Sequence, residues 1–178
     1  MVNRKPDEAG ADGNRERPLD VLIAGAGYVG LTTAVSLKQA RPGLGIAIVD
    51  AAPAGVWQKD GRASAIAAAA SRMLEQLGVW DEIAPQAQAI TEMIITDSRA
   101  ADPVRPVFLT FDGEVAPGEP FAHMVANRDL NGALRRRAEK LGIDIIEGMA
   151  VSAFDLNGAG ITMHLADAAT LTARMLIA

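Results

Sequence analysis

The spacing of apolar positions along this chain changes several times, and each change marks an element. Leu19 to Ala24 (LDVLIA) is a short, nearly unbroken apolar run, the pattern of a strand covered on both faces. After GAGYVG, the residues Leu31, Ala34 and Val35 recur at helical spacing until the breaker Arg41-Pro42-Gly43. GIAIVD follows as a second buried strand that ends on an acid, so residues 20–50 predict a strand, helix, strand unit with a right-handed crossover. From Asp60 onward, Ile66, Ala69, Ala70, Met73, Leu74 and Leu77 form one stripe, which predicts a second helix closed by Gly78.

Between about Ile90 and Val125 the pattern breaks into short apolar runs, MIIT, VFLTF and FAHMVA, separated by Asp, Pro and Gly. These suit strands joined by loops, an antiparallel excursion from the parallel sheet. Asn127 is placed to cap a third helix that carries Leu130, Ala133, Leu134, Ala138 and Leu141 and stops at Gly142. The remaining runs, IDIIEG, AVSAFDL, GITMHLA and TLTARMLIA, are β-rich, and Asn157-Gly158 supplies a turn between two of them, so a β-meander is expected. Residues 1–18 are charged, bear Gly and Pro, and lack the apolar stretch of a secretory signal. They are expected to be a disordered tail, followed by one domain over residues 19–178.

Composition narrows the chemistry. The chain has no cysteine, which removes disulfides, thiolate metal ligands and a cysteine nucleophile, and its two histidines, His123 and His164, are too far apart in sequence to suggest a metal site. A net charge of −5 repels phosphate backbones, so nucleic acid is not an expected partner. The Ala-rich AIAAAA run is too short to span a bilayer. A cytoplasmic location is expected, with peripheral contact at the inner membrane left open.

The candidate chemistry sits in the first turn of the pattern. Gly25, Gly27 and Gly30 form G-x-G-x-x-G between a predicted strand and a predicted helix, and Asp50 ends the next strand. Gly25 permits the tight turn, Gly27 lets the backbone approach a pyrophosphate, and Gly30 lets helix and strand pack closely. Ala26 lies between them, and the helix start offers free N–H groups to phosphates. Asp50 can accept hydrogen bonds from ribose hydroxyls. The fold class is therefore α/β, a Rossmann-like dinucleotide-binding domain with a parallel sheet, a β-meander and the antiparallel excursion. This fingerprint does not separate FAD from NAD, since both carry an adenosine ribose and a pyrophosphate. A nicotinamide domain would continue with further strand-helix repeats after Asp50, whereas here a loop leads to DGRASAIAAAASRMLEQLGVWDEI and then to strands.

Together, GAGYVG, Asp50, the Asp60 to Ile83 stretch, MVANRDLNGAL and the closing LTARMLIA resemble the ubiquinone-biosynthesis hydroxylases, within the flavoprotein monooxygenases that include para-hydroxybenzoate hydroxylase. The resemblance implies FAD as cofactor, NAD(P)H as reductant, O₂ as oxygen source and the aromatic ring of a polyprenylated quinone precursor as substrate. It places Arg62 and Arg128 at the FAD site, where a guanidinium can clamp a pyrophosphate with two parallel hydrogen bonds. It also makes residues 86–126 partial substrate-domain strands and implies further segments after Ala178, so no catalytic acid or base is named here. A prenylated phenol substrate implies contact with a membrane surface or with other quinone-biosynthesis proteins.

Other features are expected to be structural. Arg135, Arg136 and Arg137 read as a solvated helix face, Trp57 as an amphipathic loop tryptophan in preference to one that borders the cofactor, and both histidines as structural or surface residues. Rival functions are another FAD enzyme of the same fold, such as a different phenol hydroxylase or a prenyl reductase; a NAD-dependent dehydrogenase, which would be colourless; and a non-enzymatic binding module, which would hold FAD without turnover.

Overall fold

A computed structural model of the protein describes residues 19–97, 101, 103–158 and 160–178; the tail expected over residues 1–18 lies outside the described residues. The first unit is as the pattern predicts: β1 (Leu19–Ala24), α1 (Tyr28–Ala40) and β2 (Ile46–Asp50). β2 pairs in parallel with both β1 and β10 (Asp144–Glu147). The meander follows as β11 (Val151–Asn157), β12 (Gly160–Leu165) and β13 (Thr170–Ile177). β13 runs parallel to β1 and antiparallel to β12, which closes a six-stranded sheet in the order β10-β2-β1-β13-β12-β11.

Strand alternation explains why β1 and β2 are apolar at nearly every position. Val21, Ile23, Ile46 and Ile48 face a helical layer that contributes Leu31, Val35, Leu130 and Leu134. Leu22, Ala47 and Val49 point the other way, into a second cluster with Met163, Leu165 and Ala173 of the meander. Each fully buried Leu, Ile or Val contributes about 1.5–3 kcal/mol, so the glycine loop after β1 is anchored on both sides of the sheet.

The helix expected from Asp60 begins later. Ala63–Ala67 is β3, and α2 occupies only Ala68–Gln76. β3 pairs along its length with β9 (Ala122–Ala126), which also pairs with β4 (Gln88–Ile90). Cross-strand pairing thus overrides the helix propensity of the alanine run, and Ile66 reaches the core from a strand while Ala69 and Met73 of the expected stripe are exposed. Gly78 ends the helical turn as expected, with φ at +69° and its N–H donating to the Glu75 carbonyl. α3 is the short turn Trp80–Ile83.

The rest of the excursion consists of two ribbons, β5 (Glu92–Thr96) with β6 (Val107–Asp112), and β7 (Glu114–Ala116) with β8 (Glu119–Pro120). α4 covers Asn127–Lys140 and Gly142 follows it with φ at +68°. Asn127 is not its cap. It is the first helical residue, and its buried amide instead binds β3 and the loop before it.

Candidate functional site

A cavity of about 400 Å³ opens where the β1–α1 loop, the end of β2, the 3₁₀ turn Val56–Lys59 and α4 converge. Ala26, Gly27, Asp50, Arg62, Trp57, Lys59, Asp60, Asn131, Arg135 and Glu147 are among its walls. A second groove, between α1 and α2, is lined almost entirely by apolar and hydroxyl side chains. Only the first has the convergent charged groups expected of a nucleotide site.

The glycine loop is built in three distinct ways. Gly25 has φ at +107°, a conformation that L side chains rarely adopt, and its N–H donates to the Val49 carbonyl at 2.8 Å. A β-carbon on Gly30 would collide with the Gly25 carbonyl oxygen and lie 3.3 Å from Ile23 Cγ2, so this glycine permits α1 to rest on the end of β1. A β-carbon on Gly27 would meet nothing within 4 Å, which leaves that position open to the cavity. Gly27 precedes α1 directly, so the first-turn N–H groups that lack helical acceptors are presented beside it.

Asp50 braces this loop. Its Oδ2 accepts the Ala26 N–H at 2.6 Å and its Oδ1 accepts the Ala52 N–H at 2.7 Å. Each carboxylate oxygen has a second lone pair, so ribose hydroxyls can still be bound. The acid at the end of β2 therefore both shapes the loop and faces the cavity.

Arg62 reaches the cavity from just before β3, and its carbonyl accepts the N–H of Asn127, the first residue of α4, at 2.9 Å. Its Nε and Nη2 donate to Asp60 Oδ1 and Oδ2, both at 2.9 Å. That pairing, together with the Arg62 backbone N–H, holds the Asp60 carboxyl well below the usual carboxylate range. Arg128 is not brought to the cavity; its side chain is 59% exposed and lies 3.6 Å from Asp129.

Two features expected to be structural belong to the site. Arg135 is not on a solvated face: its side chain is 13% exposed, Nη1 donates to Glu147 at 2.8 Å, and Nη2 lies 3.5 Å from the Ala26 carbonyl oxygen. Its guanidinium carbon stands 5.3 Å from the Trp57 ring centre, and that ring fills the space above Gly132, where a β-carbon would come within 3.2 Å of it. Trp57 is thus a wall of the cavity. Asn131 Oδ1 and Arg135 Nε are buried without hydrogen-bond partners. A signal for them existed in the sequence: Asn127, Asn131 and Arg135 recur every four residues, a polar stripe alongside the apolar one. Orphaned polar atoms beside an open glycine loop fit a ligand rich in hydroxyl and phosphate oxygens.

The histidines lie elsewhere. His123 packs edge-on against Trp80 at 5.1 Å, and His164 meets Asp155 at 2.7 Å on the meander. Among the described residues, no helix is long and apolar enough to cross a membrane.

Comparison with known proteins agrees with this geometry. The family described as "FAD binding domain" matches residues 18–178. Ubiquinone hydroxylase UbiL of Rhodospirillum rubrum is 32% identical over 169 residues, which are 93% of this chain and 38% of that protein. The chain thus spans well under half the length of this curated relative. Two solved structures share the fold. p-Nitrophenol 4-monooxygenase PnpA from Pseudomonas putida DLL-E4 superposes with a TM-score of 0.71 at 19% identity, over 89% of this chain and 40% of that one. The flavin-dependent monooxygenase PieE, solved in complex with FAD and substrate, gives 0.68 at 18% identity, over 90% and 30% of the two chains.

Proposed function

The chain belongs to the family of FAD-binding domains, and on that premise we propose that it is the cofactor-binding part of a flavin-dependent monooxygenase that hydroxylates the aromatic ring of a polyprenylated quinone precursor, with NAD(P)H as reductant. One observation carries the cofactor assignment: the open Gly27 position and the Asp50-braced loop share a single cavity with Asn131 and Arg135, each of which carries a buried polar atom without a protein partner. The substrate class rests on similarity to the ubiquinone hydroxylase.

Bound here, FAD supplies the electron transfer and oxygen activation that no side chain offers. The residues of the chain bind and orient it. Gly27 admits the diphosphate to the start of α1, whose N–H groups donate to it. Asp50 fixes Ala26 and accepts from ribose hydroxyls. Lys59 and Arg62 bring positive charge to the phosphates, while Trp57 and Arg135 close the wall and exclude water. Arg128 enters this assignment through the family resemblance alone.

Residues 86–126 are assigned to the substrate-facing part, of which β5 is exposed at every position, β8 is tied to α2 by the Glu119–Arg72 ion pair, and β9 contributes Ala122 and Val125 to the core. Ile94, Val107, Phe108 and Phe111 of the β5–β6 ribbon are exposed, and a bare two-stranded ribbon is marginal in water, which supports an apolar partner surface for it. The prenylated substrate brings the protein to a membrane surface or to other quinone-biosynthesis proteins.

The test is to purify the protein as its gene encodes it, record its flavin spectrum, and supply NAD(P)H, O₂ and a prenylated phenol. A flavin-bearing protein whose product is heavier by one oxygen is the expected outcome. Turnover of simple phenols but not prenylated ones would replace the substrate class, and a colourless protein that takes up no FAD would defeat the cofactor assignment.

A further inference from the structure

Asp60 and Arg62 form an unusually complete pairing for so exposed an arginine. The guanidinium side chain is 82% exposed, while the Asp60 side chain is only 16% exposed. The carboxylate takes the side edge of the guanidinium, Nε to Oδ1 and Nη2 to Oδ2, and also accepts the Arg62 backbone N–H at 3.0 Å. Behind it, Asn127 Nδ2 donates to Asp60 Oδ2 at 3.3 Å, Ser64 Oγ donates to Asn127 Oδ1 at 2.7 Å, and the Asn127 backbone N–H donates to the Arg62 carbonyl at 2.9 Å. Buried Asn127 thus ties the acid to β3 and to the start of α4.

Exposed ion pairs add little to stability, so this bracket is better understood by what it leaves free. A guanidinium held along its Nε–Nη2 edge keeps both Nη1 hydrogens and one Nη2 hydrogen, the two-pronged end that fits a phosphate. Direction matters here because the cavity has no charge excess: Lys59, Arg62 and Arg135 are balanced by Asp50, Asp60 and Glu147. An anionic diphosphate gains from aimed donors more than from net field.

We propose that Asp60 is a positioning residue of the cofactor site, holding the side edge of Arg62 so that its end-on N–H pair is presented to the diphosphate. The inference rests on the FAD assignment above. It extends that assignment to a residue that touches no phosphate itself and would otherwise count as a charge opposing the ligand.

A double-mutant cycle tests it, with Asp60→Asn, Arg62→Leu and the pair together, and with Asp60→Ser as a second variant. FAD and inorganic pyrophosphate affinities are read alongside the ¹⁵N resonance and water exchange of the Arg62 Nε–H in the ligand-free protein. Asp60→Asn is expected to speed that exchange and to weaken FAD by about tenfold, as the loss of one charge-assisted hydrogen bond does. In the Arg62→Leu background the same change should shift FAD affinity by less than about twofold. Equal weakening in both backgrounds, unchanged affinity, or tighter binding would each overturn the positioning role. Failure of the unsubstituted protein to bind FAD defeats the cofactor assignment and this inference together, whereas normal binding with an additive cycle defeats the inference alone.

Discussion

Replacing Gly27 and Gly30 separates the two tasks of the glycine loop. Gly27 has φ −71° and ψ 170°, extended backbone open to any residue, and a β-carbon there meets no atom within 4 Å. Gly27→Val should therefore cost only the small preference for glycine ahead of a helix, about 0.5 kcal/mol, or a fall of about 1–2 °C in Tm. The valine side chain occupies the space a diphosphate needs, and losing two charge-assisted hydrogen bonds of about 1.5–3 kcal/mol each weakens FAD by at least about 100-fold. Gly30→Ala reverses the pattern. Its new methyl strikes the Gly25 carbonyl oxygen, a backbone atom that cannot rotate away, and sits against Ile23. Overpacking of this kind costs about 1–3 kcal/mol, a drop of several degrees. Thermal melts and FAD titration by flavin fluorescence, run on both variants, decide the matter. A Gly27→Val protein that binds FAD normally, or one that melts as low as Gly30→Ala, would refute the division of labour.

Asp50→Ala removes the acceptor for the Ala26 and Ala52 N–H groups as well as the ribose contact; flavin should be lost on dialysis, and full retention would contradict the assignment. Arg135→Met strands the Glu147 carboxylate and should lower unfolding free energy by about 1–3 kcal/mol in denaturant titrations; adding Glu147→Gln should recover most of it. Because the folded pKa of Asp60 is depressed, its bracket is intact above the ordinary aspartate value of 3.8 and is lost only as pH falls through the lower folded value. The Asp60 carboxyl ¹³C shift should therefore stay flat through pH 3.8, and a midpoint there would show the pairing with Arg62 to be absent in solution.

Residues 19–50 are legible in the sequence because one local rule governs each position there: an unbroken apolar run, a glycine turn, a helical stripe and a terminal acid. The ASAIA segment reads as helix in the sequence because its strand character comes from pairing with Ala122–Ala126, nearly sixty residues away. Alanine carries no strand signal of its own. The spacing of Gly25, Gly27 and Asp50 is enough to bring the turn, the open position and the acid to one loop. Trp57 carries two readings in the sequence, loop surface or cofactor border, and Arg135 reads as a wetted surface because an arginine triplet on a polar helix describes one; their contact decides both. Asn131 lay on the same stripe as Asn127 and could have been found from its helical spacing.

The central claim is that the cavity receives the adenosine-diphosphate half of FAD. The most direct measurement is a competition titration of the protein as its gene encodes it, with bound FAD displaced by ADP and separately by FMN. ADP should displace FAD fully, because it carries the ribose and diphosphate that Asp50, the glycine loop and Arg62 recognise, while FMN at the same concentration should leave FAD in place. Displacement by FMN but not by ADP would place the flavin end in this cavity and contradict the account.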